Sequence, residues 1–518
     1  MNRGVLVKAV TVILIALTGI TACVVLYGYK RRNLSGVPVV YTYRLTEDGS
    51  RVADIPKEEY LYNGVISEGD AVFYAADYGL SATGSGGDNA AAVERAVYAA
   101  NAAGGGTVYI SAGSYKTRGI ELLSDVTLYV ERGALLEALI YDENKADGGD
   151  ASPAIVYARG AVNVTVTGGG VIAGRGRTYT KEPVDDGRFI PLAKFNLKTR
   201  VLEARYRIRE GKDNRRSVLS FEDCGNVRIE NIELNESASW TCVLRNCTGV
   251  TAENVVIDNN IYVANSDGID IVGSSDVTVK HCFIVTGDDG VCIKSNSGRA
   301  VARVSVSDCK IMSLANCFKI GTETMEDVSD VTVEDCFFFV TEISGGYSGI
   351  AIESADGAKI SRVSVKNIEM RGVSAPFLIW LGCRFKDTDD KTPGGIDGVV
   401  IEGITAVDTE LPSAVVGCLY GGKTYKVGSV KLTDITVFYR EAEEALNIKT
   451  PVPETAMSGY PEITRVSHIY FISHELSVYY DLPAYGLFVR HASEVVAAGM
   501  TVTPRKADTR PPVVREDA

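Results

Sequence analysis

Short alternations of apolar and polar residues recur along most of this 518-residue chain. From Val250 to Val331 one such alternation returns every 27 residues, and a second series, with GIDIV, GVCIK, CFKIG and GIAIE, interleaves with it. The nine copies of the first alternation begin at Val164, Val227, Val250, Val277, Val304, Val331, Val363, Val399 and Val430. Alternation over a few residues predicts short, half-buried strands rather than helices.

Strands that return at such a period indicate a solenoid, in which neighbouring coils bury a common core. Asn, Asp and Gly occupy the expected corners between the strands. We therefore predict an all-β fold, a right-handed parallel β-helix. A β-sandwich and a β-propeller are the alternatives, but a propeller blade needs four strands in about 40 residues, which the 27-residue period fits poorly.

An alanine-rich stretch before the repeats predicts one helix that caps the N-terminal end of the solenoid. Asp88 or Asn89 can cap this helix, and three glycines from Gly104 end it after about Ala103. Short strands are then predicted at residues 107–110, 119–122 and 126–130.

The composition divides the chain into three segments. Residues 1–32 hold an apolar run between basic residues, which is typical of a signal peptide or a membrane anchor, and Cys23 ends a lipoprotein-like motif. Residues 33–70 form an N-terminal extension, and residues 71–515 form the β-helix domain. We expect an extracytoplasmic monomer that is anchored in the membrane by an uncleaved segment, anchored by a lipid, or secreted.

Charge and cysteine spacing exclude several function classes. The net charge of −13 and the pI of about 5.1 argue against a nucleic-acid partner. With four histidines and no CxxC pair, we expect neither a metal site nor a cofactor. Cys282, Cys309 and Cys336 recur every 27 residues, which predicts a ladder of buried thiols rather than disulfides.

An acidic turn appears twice, 22 residues apart, as Asp267-Gly268 and Asp289-Gly290, with Asp288 beside the second turn. If one coil separates these turns, the two aspartates lie about 5 Å apart. Carboxylates that crowd together raise at least one pKa, and an acid next to an ionised base suits glycoside hydrolysis. Asp-Gly is also an ordinary corner, but its repetition on successive coils favours a site.

The chain from about Asp77 to Pro512 resembles glycoside hydrolase family 28, the polygalacturonase-like β-helix enzymes, in GGGVIAGRG, NSDGID, GDD and LPAYGLFVRH. The resemblance implies an inverting hydrolase of a pectin-like, galacturonic-acid-containing polysaccharide. It implies that Asp288 donates a proton to the leaving oxygen while Asp267 and Asp289 hold and activate water. Long charged inserts that close one end of the cleft would favour exo action.

Two family motifs are altered in this chain. Asn316 stands where the family has the histidine of Gly-His-Gly, and AIE at residues 351–353 stands where it has Arg-Ile-Lys for the substrate carboxylate. Strand parity turns Lys319 outward, with Lys294 on the preceding coil, so both are candidates to replace the lost cations, and a solvated face is the alternative interpretation. The predicted substrate-binding residues are Asp270, Lys294, Asn316, Lys319, Trp380 and Arg384, with Trp380 as an outward platform for a sugar ring.

Two other function classes stay open at this point. A polysaccharide lyase or epimerase on uronate polymers can share this fold and would use a basic residue near the acidic cluster. A non-catalytic cell-surface glycan-binding protein is the third interpretation, because two family motifs are altered.

Overall fold

The computed structural model describes residues 57–140, 151–179, 215–340, 347–439 and 482–517 with a few short gaps, together with isolated strands. The chain forms two compact units, Met1–Ile55 and Pro56–Ala518. In the first unit, strands Tyr43–Leu45 and Arg51–Ala53 pair antiparallel. The predicted signal or anchor segment lies outside the described residues. Within the described part of the chain, no helix has the length and apolar character needed to span a membrane.

The second unit is built on two large parallel sheets. The first sheet, which carries the candidate site, has twelve strands. Its strands are Ile120–Leu122, Ala154–Arg159, Ser217–Glu222, Cys242–Arg245, Ile269–Val272, Val291–Ser295, Phe318–Thr324, Ser348–Ser354, Ala375–Leu381, Ser413–Val416, Leu487–Arg490 and Val513–Glu516.

The second sheet has twenty strands that pair in parallel from coil to coil. They are Val72–Tyr74, Gly106–Ile110, Gly113–Thr117, Val126–Val130, Ala134–Ala138, Val162–Thr167, Val171–Ala173, Gly225–Asn235, Thr248–Asp258, Ser275–Lys280, Phe283–Thr286, Val301–Ser307, Lys310–Ser313, Val328–Glu334, Phe337–Phe339, Lys359–Arg371, Gly395–Thr409, Val427–Tyr439, Ala492–Ala498 and Thr501–Thr503. Two antiparallel hairpins, Cys418–Tyr420 with Lys423–Tyr425 and Pro461–Thr464 with His468–Phe471, lie outside both sheets.

The register of the second sheet follows the sequence repeat. Val164 pairs with Val227, and the nine repeat valines then pair in order up to Val430. All nine side chains are buried. Because each coil stacks its valine on the next, the predicted parallel β-helix is confirmed. Cys282, Cys309 and Cys336 are buried thiols in this core, as predicted.

One long helix, Gly86–Ala102, covers the N-terminal end of the solenoid. Its cap is Ser85, whose hydroxyl accepts a hydrogen bond from the Asp88 amide at 3.1 Å. The predicted caps, Asp88 and Asn89, are therefore wrong. Asp88 lies in the first turn, and Asn89 is buried, with its amide nitrogen donating to the Lys116 carbonyl at 2.9 Å.

Three shorter helices complete the described structure: Lys57–Tyr60 and the 3-10 turns Ala75–Tyr78 and Gly176–Tyr179. Tyr60 is buried against the second sheet, where its ring stacks on His281 with centroids 4.8 Å apart. Helix Lys57–Tyr60 therefore packs on the solenoid through this residue. Most of the first predicted insert, residues 180–214, lies outside the described residues.

Candidate active site

The acidic turns occupy the same corner of successive coils. The Gly268 amide donates to the Asp289 carbonyl at 2.9 Å, and the Gly290 amide donates to the Asn316 carbonyl at 2.8 Å. Asp267, Asp289 and Asn316 thus stack in three neighbouring coils at the start of strands of the first sheet. This is the arrangement that the 22-residue spacing predicts.

The three aspartates converge at this corner. One carboxylate oxygen of Asp267, one of Asp289 and the Cys292 sulfur lie within 4.8 Å of one another. Asp288 accepts hydrogen bonds from the amides of Asn265 at 3.3 Å and Asp289 at 3.1 Å. Relative exposures are 2% for Asp267, 4% for Asp289 and 8% for Asp288, so Asp288 is the most accessible of the three.

Lys294 is buried among three acids. Its ammonium nitrogen lies 3.6 Å from Asp267 Oδ2, 3.6 Å from Asp270 Oδ1 and 3.4 Å from Glu323 Oε2. It also lies 4.8 Å from the centre of the Trp240 ring, a cation–π contact. A solvated lysine is therefore the wrong interpretation. Because carboxylates already compensate its charge, this geometry does not support Lys294 as a uronate ligand.

Lys319 is buried one coil further on, between two acids. Its ammonium nitrogen lies 3.4 Å from Asp289 Oδ2 and 3.7 Å from Glu353 Oε2. Asn316 donates to Asp289 Oδ1 from its backbone at 3.1 Å and from its side chain at 2.8 Å. Thr322 donates to Glu353 Oε2 at 3.1 Å. Lys319 and Asn316 therefore both contact Asp289, and the interpretation of Lys319 as a solvated residue is wrong.

Arg384 closes the network from the far side. Its guanidinium makes two hydrogen bonds to the carboxylate of Asp356, and it lies 3.3 Å from Glu323 Oε1. Burial favours the neutral form of Glu323, but Lys294, Arg384 and Lys319 outweigh it and lower the pKa of Glu323 to about 2. Arg384 is thus an ion-pair residue, and its role in substrate binding stays a prediction.

Trp380 does not form the predicted platform for a sugar ring. Its strand, Ala375–Leu381, packs beside strand Pro461–Thr464, and the ring is only 2% exposed. Trp380 belongs to the buried hydrophobic core, and neither this burial nor the contact of its strand with the hairpin could be predicted from parity. Trp240 is partly exposed and lies next to Lys294. It is the aromatic residue that the structure places at the site.

Burial and like charges act together on Asp267. Burial, reinforced by the charges of Asp270 and Asp288, raises its pKa well above the usual range despite the nearby Lys294. Burial likewise raises the pKa of Asp270 to about 7, although Lys294 opposes the shift. Asp267 and Asp270, on the first coil of the site, therefore keep their protons at pH values at which exposed carboxyl groups lose them.

Asp289 behaves in the opposite way. Burial alone would raise its pKa, but the charges of Lys319 and Lys294 and the two hydrogen bonds from Asn316 outweigh burial and lower it. A carboxylate that stays ionised therefore lies within 4.8 Å of a carboxyl, Asp267, that retains its proton. Such a pair can hold a water molecule and take a proton from it.

The described residues include one group whose side-chain atoms could bind a metal ion. Asp267, Asp289 and Cys292 each bring one ligand-type atom to the same spot. Lys294 lies 3.6 Å from the first aspartate and Lys319 lies 3.4 Å from the second. Since ammonium groups already supply positive charge there, we assign no metal ion to the cluster.

Sequence reasoning missed part of this network. The sequence did not predict the ion pairs of Glu323, nor the part that Asp356, Cys292 and the contact of Trp240 with Lys294 play here. The available signal was an excess of acids on consecutive coils next to outward lysines. The predicted site residues that do join the network are Asp267, Asp270, Asp288, Asp289, Lys294, Asn316, Lys319 and Arg384.

A parallel β-helix with clustered carboxylates at one corner defines a class of carbohydrate-active proteins, and comparison with known families is more specific. The family model described as glycosyl hydrolases family 28 matches residues 138–456. This chain therefore belongs to glycosyl hydrolases family 28, and it is a glycoside hydrolase.

Individual relatives are distant in sequence. The chain is 27% identical over 329 residues to an endo-polygalacturonase of Pectobacterium parmentieri, which covers 56% of this chain and 75% of that protein. It is 25% identical over 230 residues to a probable polygalacturonase of Arabidopsis thaliana, covering 43% and 45% of the two chains.

Solved structures share the fold. An exopolygalacturonase from Thermotoga maritima has a TM-score of 0.57 at 18% identity and covers 74% of this chain and 90% of its own. A family 28 exopolygalacturonase from Yersinia enterocolitica has a TM-score of 0.56 at 16% identity, with coverage of 90% and 79%. A surface adhesin of Streptococcus pneumoniae has a TM-score of 0.54 at 11% identity, with coverage of 86% and 100%.

Proposed function

We propose that the protein is an inverting hydrolase of a pectin-like, galacturonic-acid-containing polysaccharide. The observation that carries this proposal is the pairing of Asp267 and Asp289 on neighbouring coils, with pKa values shifted in opposite directions. Family membership and polygalacturonase relatives support the substrate class. The apolar segment within residues 1–32 supports an extracytoplasmic location, through an anchor or by secretion, and we expect a monomer.

The proposed mechanism gives each aspartate one role. Asp288, the most exposed of the three, donates its proton to the glycosidic oxygen as the bond breaks. Asp289, held ionised, takes a proton from the attacking water, as a general base must. Asp267 retains its proton and donates a hydrogen bond that positions the same water. Attack on the face opposite the leaving group inverts the anomeric centre.

We test the assignment by replacing the acid. The variant Asp288→Asn should lose about 100- to 10,000-fold of the turnover on whichever member of a pectic and neutral polysaccharide panel the wild type cleaves, measured as released reducing ends. Asp276→Asn is the matched control, because this aspartate is exposed and pairs with Arg303 on the outer surface. Equal rates for Asp288→Asn and wild type would overturn the role of Asp288.

Exo action is the finer part of the proposal. Strand Pro461–Thr464 lies against strands Ser348–Ser354 and Ala375–Leu381, the first of which is two coils beyond strand Val291–Ser295. At about 5 Å per coil, the hairpin would end the cleft roughly 10 Å beyond Asp289. A cleft that is closed so near the catalytic carboxylates suits a chain end better than the middle of a polymer.

The lyase alternative loses its main support in this geometry. A lyase base must reach the substrate and be available for its proton. Lys294 and Lys319 are both buried and paired with carboxylates, so neither has the arrangement that a lyase base requires. Absorbance of an unsaturated uronate product in the same digests would contradict hydrolysis.

A further inference from the structure

The proposed mechanism gives no role to Lys319, although its ammonium group lies in contact with Asp289, the proposed base. We propose that Lys319 and Glu353 are positioning residues that together set the ionisation of Asp289. The inference rests on the proposed function in taking Asp289 as the base that activates water. It adds a pair of residues, on two further coils, that decides at which pH this base works.

The geometry places the lysine between two buried competitors. Lys319 Nζ lies 3.4 Å from Asp289 Oδ2 and 3.7 Å from Glu353 Oε2, and all three residues are at most 4% exposed. At such distances, and away from water, each opposite charge acts strongly on the ionisation of the other. The single ammonium group of Lys319 interacts with two carboxylates. Its interaction with Glu353 therefore weakens its stabilisation of the ionised form of Asp289.

The register explains why the three residues meet. Lys319 pairs with Cys292 on the preceding coil and with Ala351 on the following coil. The small alanine leaves the space above it to the long side chains on either side. Thr322 donates to Glu353 Oε2 at 3.1 Å, which holds this carboxylate toward the lysine.

Asp289 faces charged and titratable groups from its own and both neighbouring coils. They are Asp267, Asp270, Asp288, Cys292, Lys294 and Lys319. The three aspartates disfavour an ionised Asp289 whenever they are themselves ionised, whereas the Cys292 thiol donates a hydrogen bond to Asp289 Oδ2 at 3.8 Å. Of the two lysines, Lys319 lies nearer to the Asp289 carboxylate. Its removal should therefore change the ionisation of Asp289 more than removal of any other single charge in this group.

The pair makes opposite predictions for its two members. Activity falls at low pH when the base takes up a proton. Lys319→Met removes the stabilising charge, so the acidic limb of the kcat/KM profile should move to higher pH by about 1 to 3 units. Glu353→Gln removes a buried negative charge that competes for Lys319, so the limb should move to lower pH.

Three further variants separate positioning from simple structural support. Lys319→Arg keeps the charge and should restore most of the wild-type profile. Lys319→Met combined with Glu353→Gln removes both buried charges, so it should fold even if the single lysine variant does not, and its acidic limb should still lie above that of wild type. Lys280→Met is the control, since this exposed lysine pairs with Glu253 on the outer surface.

A second measurement is independent of turnover. In protein labelled with ¹³C at aspartate side-chain carboxyls, the Asp289 signal is identified by its loss in Asp289→Asn, and its titration should follow the same order as the kinetic limbs. Shifts of opposite sign for Lys319→Met and Glu353→Gln would support the inference. Unchanged or parallel shifts would overturn it, and failure of every substrate would refute the proposed function without affecting this titration.

Discussion

Asp267 and Asp289 show how strongly neighbours decide what an aspartate does. Both follow the same backbone path at the same corner of adjacent coils. Asp267 faces other acids, so it retains its proton, whereas Asp289 has Lys319 and two hydrogen bonds from Asn316, so it ionises. In the proposed mechanism, the same residue type thus serves as hydrogen-bond donor in one coil and as base in the next.

Asp270 provides a test at this scale. Its folded-state pKa of about 7 lies above the usual 3.8, so the native protein holds a proton that the unfolded chain has released. Stability from this group is therefore full below about pH 4 and declines as the pH rises toward 7. Between pH 5 and pH 8 the loss should be about 3 kcal/mol.

The measurement is urea unfolding of wild type and Asp270→Asn at pH 5 and pH 8. Because asparagine does not titrate, the variant should lose less stability over this interval, by about 3 kcal/mol. Asp276→Asn, on the exposed surface, should keep the wild-type dependence. An equal loss in wild type and Asp270→Asn would show that Asp270 ionises normally.

At the scale of the element, the unit of the site is the corner followed by a strand. Each catalytic corner reads Asp-Gly because the next coil leaves no room for a side chain. A Cβ at Gly268 would lie 2.4 Å from the Gly290 carbonyl oxygen, and one at Gly290 would lie 2.4 Å from the Cys317 carbonyl oxygen. The glycines therefore allow the coils to stack closely enough to bring the carboxylates together.

Gly290→Ala should accordingly disturb both stability and activity. The added methyl group must push the Cys317 backbone away, and such overpacking typically costs about 1 to 3 kcal/mol. We expect a lower thermal midpoint and a fall in kcat larger than stability alone explains. Gly395→Ala is the matched control, because a Cβ there meets no atom within 4 Å; similar behaviour of the two variants would contradict the packing argument.

Elements whose cause is periodic could be predicted from the sequence, and those that depend on distant contacts could not. The repeat valines and the Asp-Gly corners predicted the coils and the meeting of the three aspartates. Burial of Lys294 and Lys319 depends on acids 24 to 34 residues away, from Asp270 for Lys294 to Glu353 for Lys319, and no local pattern encodes it. Trp380 is buried, and its strand contacts a hairpin some 80 residues further along, which strand parity does not encode.

At the scale of the whole molecule, a hairpin lies against the sheet that carries the site. Strand Pro461–Thr464 of this hairpin contacts strands Ser348–Ser354 and Ala375–Leu381, and the sheet itself has twelve parallel strands. Under the proposed exo action, the hairpin would end the cleft and favour the ends of a polymer.

Removal of the hairpin tests the proposed exo action. Replacing residues 457–475 by a short Gly-Ser linker should convert release of short products from chain ends into internal cleavage, seen as a faster fall in viscosity per reducing end formed. The thermal midpoint should change little, which checks that the solenoid remains folded. Random internal cleavage by wild type, or unchanged products after the replacement, would contradict exo action.

The stacking of one coil on the next also makes the fold a molecular ruler. The residues of the site lie on the coils between Trp240 and Arg384, and the hairpin lies a fixed number of coils away from the aspartates. Duplicating a single turn between the catalytic corner and the hairpin would move the barrier by about 5 Å and leave the chemistry in place. The length of the released fragment would then be counted in coils, so evolution could change it by gene duplication without altering a catalytic residue.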